Sequence, residues 1–120
     1  MTISHRIVVT ETSYGYAVQG YRCPQTGLTS ASYVARFPGS NEAAVPASFI
    51  GVGAVWSSTV ARIPNGDYPA GRITHYVDLD DGPRVLCESD EPIGIGSRVR
   101  ISGVNAKGDP VIVAAEGGTL

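Results

Sequence analysis

Basic residues are few in this 120-residue sequence: nine Lys and Arg stand against eleven Asp and Glu, giving a formal charge of −2. The positive surplus that nonspecific binding to a phosphate backbone requires is missing. Long apolar runs are missing too. None approaches the roughly 20 residues that cross a bilayer, and the opening MTISHRIVVTET lacks the basic, apolar, then small-residue order of a secretory signal. A soluble, cytoplasmic protein with no membrane partner is expected. Cysteine is scarce: Cys23 and Cys87 lie far outside any short ligand spacing, and the expected intracellular setting disfavours a disulfide between them. Free thiols are the reading. No glycine-rich phosphate loop opens a helix, because Gly51-Val52-Gly53 and Gly94-Ile95-Gly96 fall in strand and crossover contexts, and no carboxylate pair stands out as a general acid and base.

What is abundant is turn and strand chemistry. Fifteen Gly and eight Pro punctuate stretches of Val, Ile, Thr and Tyr, so the composition reads all-β. Residues 5–10 (HRIVVT) and 14–22 (YGYAVQGYR) form an expected hairpin around Glu11-Thr12-Ser13. Cys23-Pro24-Gln25-Thr26-Gly27 is a turn-rich knuckle. Residues 32–37 (SYVARF) read as a short strand ending at a second turn, Pro38-Gly39-Ser40-Asn41. Residues 41–48 are interrupted by Pro46 and read as a linker.

From Phe49 the pattern strengthens. Residues 50–62 (IGVGAVWSSTVAR) make a long strand in which Gly51 and Gly53 permit a bend or bulge. Residues 63–71 are a loop, and 72–80 (RITHYVDLD) alternate with Ile73, His75, Val77 and Leu79 on one face. Asp80-Asp81-Gly82 is a hairpin signal, with Gly82 expected to supply positive φ, and 83–89 return. After an irregular crossover at 90–96, residues 97–104 and 109–115 form a last pair around NAKG. Five strands in this order are those of an OB-fold barrel, preceded by small hairpins. The expected division is 1–48 and 49–120.

Two segments carry a resemblance: Gly53-Ala54-Val55-Trp56-Ser57-Ser58-Thr59-Val60, and the hairpin VDLDDGPRVL at 77–86. They resemble the zinc-ribbon/OB-fold family of acyl-CoA-associated proteins, the DUF35 type, in which a rubredoxin-like ribbon precedes the barrel. The resemblance implies a non-catalytic accessory subunit that docks on a thiolase-superfamily, hydroxymethylglutaryl-CoA-synthase-like or aldolase partner in a hetero-oligomer. It also implies a CoA thioester near the partner interface, with carbon–carbon bond formation or cleavage carried out by the partner. The ribbon of that family is held by two Cys-x-x-Cys pairs, because four thiolates bind zinc tetrahedrally. Here Thr26 stands at the second ligand position and 38–41 contain no cysteine. Cys23 is then the remnant of a lost ligand set, no zinc or other cofactor is expected, and Tyr14, Tyr16, Tyr21, Tyr33 and Phe37 are expected to fill the ribbon by packing.

No catalytic residue is assigned. Cys23 has no histidine nearby in sequence, Cys87 reads as a small buried hydrophobe, and His75 as a core or interface imidazole. Trp56, Tyr68 and Tyr76 with Arg62, Arg72 and Arg84 are the candidates for contact with a partner or with CoA, since aromatics and arginine concentrate at protein interfaces. The same residue types build the stacking faces on which OB-folds bind single strands, so a single-stranded nucleic-acid binder is one alternative. A stand-alone acyl-CoA thioesterase or hydratase is the other. Acidic residues between Asp78 and Glu91 flank the arginines and favour protein docking over nucleic acid.

Overall fold

The computed structural model describes residues 7–60 and 73–115, all of them strand, turn or irregular segment. No helix among them is long and apolar enough to cross a membrane. Among the described residues nine strands form two sheets: β1 (Val8–Thr12), β2 (Gly15–Arg22), β3 (Thr29–Ser30) and β4 (Val45–Ile50) in the first; β5 (Val52–Val60), β6 (Ile73–Leu79), β7 (Arg84–Ser89), β8 (Arg98–Val104) and β9 (Pro110–Ala114) in the second. The second sheet closes in the order β5-β6-β7-β9-β8. That five-stranded closed barrel is an OB-fold.

In the first sheet β2 is central. It pairs with β1 through Gly15–Gln19 and with β3 through Tyr21 and Arg22 along one edge, while β4 covers the other. The β1–β2 turn is Ser13-Tyr14, two residues later than the sequence suggests, because the Thr12 hydroxyl ties it from within: it donates to Gly15 O at 2.7 Å and accepts from Tyr14 N at 3.1 Å. Tyr14 is consequently 90% exposed and fills nothing. Residues 32–37 are not a strand. The Ser30 hydroxyl donates to Ser32 O and accepts from Ser32 N, a local turn that ends pairing after Ser30. Part of the expected linker is instead the edge strand β4, where Pro46 opposite Tyr21 is tolerated because an edge strand needs fewer ladder donors. The expected boundary between residues 48 and 49 falls within this strand.

Gly51 joins the two sheets. Its N–H donates to Tyr16 O at 2.9 Å, and its carbonyl accepts from Ile101 N at 2.8 Å. A Cβ here would stand 2.8 Å from Tyr16 O and 3.0 Å from Ile101 Cδ1, so only glycine lets the chain turn this corner. The core is continuous across the corner. Val18 and Phe49 of the first sheet pack in one cluster with Val55, Val77, Leu79, Val85, Cys87, Val99, Ile101 and Ile112 of the barrel. The alternation expected along β6 holds, with His75, Val77 and Leu79 buried and Tyr76 exposed between them.

Candidate functional site: a braced aromatic face on the barrel

The pairing of β5, β6 and β7 sets the outer face of the barrel. Ala54 lies opposite Asp78, and Asp78 opposite Arg84; one row further along, Ser57 lies opposite Tyr76, and Tyr76 opposite Leu86. The β5–β6 register shifts between Val55 and Ser57, and the extra residue in that bulge is Trp56. A bulge twists its strand and re-aims the unpaired side chain. Trp56 accordingly stands 52% exposed, beside Tyr76 at 45% and Leu86 at 38%.

Arg84 braces this aromatic. Its guanidinium carbon lies 3.7 Å from the centre of the Trp56 ring, and the same group holds Asp78 with two bonds, Nε to Oδ1 at 2.6 Å and Nη2 to Oδ2 at 3.3 Å. The Asp78 hydrogen bond raises the Arg84 pKa above its usual value. A guanidinium sandwiched between a carboxylate and an indole fixes the ring plane, which lowers the ordering cost of a later contact. A second bidentate pair, Arg98 to Asp80 at 2.7 and 2.5 Å, borders the face from β8, where Arg98 lies opposite Ala54. The Arg98 hydrogen bond lowers the Asp80 pKa. Asp78 and Asp80 therefore serve more than the turn chemistry read from sequence, being the partners of two arginines. Cross-strand counting outward from the hairpin would have paired Asp78 with Arg84.

Of the sequence candidates, Trp56, Tyr76 and Arg84 come together on this face, while Arg62, Tyr68 and Arg72 lie outside the described residues. Gly82, at the hairpin tip, does not have positive φ. It is glycine for space: a Cβ would meet Phe49 Cγ at 2.7 Å.

His75 is 1% exposed on the opposite, inner side of β6. Its Nδ1 lies 2.7 Å from Ser58 Oγ and its Nε2 2.7 Å from Ser89 Oγ. Ser89 also donates to a carbonyl of the 90–96 connection, Glu91 O at 2.5 Å, and Ser58 Oγ lies 3.2 Å from Ile93 O. Since Ser89 donates to Glu91, its oxygen accepts from Nε2–H, leaving Nδ1 as an acceptor for Ser58 in the neutral ring. Burial lowers the His75 pKa. This relay anchors the segment under the barrel and was not legible in sequence, where the two serines carry no distinguishing signal. Cys87, opposite His75 on β7, is buried, and that burial pushes its thiol up to about 12.

The first knuckle keeps its shape. Gly27 N donates to Cys23 O at 2.9 Å, and Thr26 N donates to Cys23 Sγ at 3.3 Å. The second turn is drawn against it by Gln25, whose Oε1 accepts from Asn41 N at 2.9 Å and from Ser40 Oγ at 3.2 Å. Burial raises the Cys23 pKa, but hydrogen bonds from Ser40 and Thr26 outweigh it and bring the thiol to about 7. One sulfur accompanied by the hydroxyls of Thr26 and Ser40 does not fit a tetrahedral zinc. Among the described residues no group of three His, Cys, Asp or Glu is placed to hold a metal.

The architecture matches a solved structure, "Ltp2-ChsH2(DUF35) aldolase", with a TM-score of 0.66 over 80% of this chain and 83% of that one, at 20% identity. The fold is that of a DUF35-like OB domain. No family model and no curated protein matches the sequence.

Proposed function

We propose that this chain is a non-catalytic accessory subunit that docks through its barrel on a thiolase-superfamily enzyme acting on acyl-CoA, in a hetero-oligomer. The observation carrying this reading is the exposed Trp56, Tyr76 and Leu86 row, held in place by Arg84 and Asp78. Trp56 and Tyr76 beside the part-exposed Arg84 are the residue types in which interface hot spots are enriched. The solved structure of similar fold names a second component, Ltp2, and an aldolase, which fits a partner that makes or breaks carbon–carbon bonds.

The chemistry is assigned to the partner. The described cysteines and histidine are enclosed: Cys23, Cys87 and His75 are each 1% exposed. Arg62, Tyr68 and Arg72 are proposed to extend the docking face or to approach a CoA thioester at the partner interface, and no zinc takes part. A single-stranded nucleic-acid face has less support, since Arg84 and Arg98 are each committed to a carboxylate and offer little net charge to phosphates.

Affinity purification of the tagged protein from its own cells tests the proposal. A thiolase-superfamily polypeptide in fixed ratio with the wild type, and lost with Trp56→Ala, is the expected result. Turnover of acyl-CoA by the isolated chain at enzymatic rates would sink it.

A further inference from the structure

The barrel is not closed equally all round. Six residue pairs join β6 to β7, but one pair, Glu88 and Val111, joins β7 to β9 in parallel. Beyond that pair the two sides diverge into a cleft of about 450 Å³, walled by 89–94 on one side and by Ile112, Val113 and Ala114 on the other. The volume lies in the range of small-ligand sites, roughly 300–1,000 Å³. Pro92 has no N–H, so this wall cannot zip onto β9 and close the gap.

The wall is preformed rather than loose, because Ser89, itself held by the buried His75, donates to Glu91 O. Across from it, β9 presents backbone. Ala115 N donates to Arg98 O at 2.9 Å, which fixes the parity of the β8–β9 ladder. The N–H and C=O of Ala114, one residue earlier, must then point away from β8 and into the cleft. Asp90 and Glu91 stand on the lining, and among the described residues no Lys or Arg lines it. Ile93 and Ile112 supply an apolar floor.

We propose that this cleft is a second interaction site, independent of the Trp56 face, which takes an extended segment of a partner polypeptide as an added strand on β9. The segment alternates aliphatic residues, which meet Ile93 and Ile112, with Lys or Arg, which meet Asp90 and Glu91. Main-chain bonds to Ala114 supply affinity, and the alternate side chains supply selectivity.

The peptide acetyl-Lys-Val-Lys-Val-Lys-amide, titrated into the whole protein and followed by amide chemical shifts, is the test. Saturable shifts at Val113, Ala114 and Glu91 are expected, with slowed hydrogen exchange at Ala114. The Glu-Val-Glu-Val-Glu analogue and the proline-interrupted Lys-Val-Pro-Val-Lys should bind at least about tenfold more weakly, the scale of one lost charge-assisted bond. Asp90→Asn with Glu91→Gln should weaken the lysine peptide similarly. Ala114→Pro, which removes a donor facing away from β8 and leaves that ladder intact, should abolish the shifts at Val113 and Glu91 with the fold retained by circular dichroism. Equal binding of all three peptides, shifts that map elsewhere, no binding, or an Ala114 amide already protected in the free protein would each overturn the proposal.

Discussion

The Phe49 ring lies against the backbone of Gly82, so closely that a Cβ on residue 82 would fall 2.7 Å from Cγ. Phe49 belongs to the first sheet and Gly82 to the β6–β7 turn of the barrel. Arg22 completes the clasp, with its guanidinium carbon 5.4 Å from the centre of the same ring and its Nη2 donating to Asp81 O at 3.1 Å. Gly82→Ala should therefore lower stability by about 1–3 kcal/mol through overpacking. Phe49→Ala should cost more, about 3–5 kcal/mol, by leaving a cavity between the sheets. Urea unfolding followed by circular dichroism measures both, and a neutral Gly82→Ala would show that the turn shifts freely.

Trp56 is the single tryptophan of the chain, so its fluorescence reports the docking face directly. Emission of the free protein should be that of a half-exposed indole and shift to the blue when the partner binds. Arg84→Ala should broaden and red-shift the free emission by releasing the ring, while changing stability by about 1 kcal/mol or less, as expected for an exposed pair. An unchanged spectrum in that variant would mean that the guanidinium does not hold the ring.

His75 predicts a pH dependence with a definite sign. Burial lowers its pKa in the folded protein. The unfolded chain then takes up this proton first, and stability declines as pH falls below the ordinary imidazole value of about 6.5, levelling off below the folded pKa. His75→Gln should flatten that decline, His5 being common to both proteins. Urea midpoints across this range check it, and an equally steep decline in the variant would place its origin elsewhere.

Cys23 acts at higher pH. Its folded pKa of about 7 lies below the ordinary thiol value of 9.0, so its contribution grows as pH rises from 7 toward 9 and is lost as pH falls through 7. The rise should vanish in Cys23→Ser. Because Gln25 draws the second turn against the first through Ser40 and Asn41, dialysis against a chelator should leave the melting temperature unchanged. A clear fall would reveal a structural metal.

The barrel was legible because its strands obey a period of two over long stretches: Ile73, His75, Val77 and Leu79 alternate strictly, and the turns at 80–82 and 105–108 carry their own chemistry. The first sheet was less so. Its strands β3 and β4 are defined by what they pair with, and neither the Ser30 turn nor an edge strand containing Pro46 has a periodic signature. The candidate face was half legible. Trp56 stood out by type, but its outward aim depends on a bulge, and its bracing by Arg84 and Asp78 depends on a register that only the folded hairpin fixes. Gly82 illustrates a correct residue assigned for the wrong cause, since local turn rules cannot foresee an aromatic ring arriving from residue 49.

Because Gly51 serves both sheets with its two backbone groups, the first sheet and the barrel cannot pivot about one another like beads on a string. A gene fragment trimmed to the barrel would leave a hole where Phe49 had sat, and a fragment trimmed to the first sheet would leave that ring without the Gly82 turn it packs against.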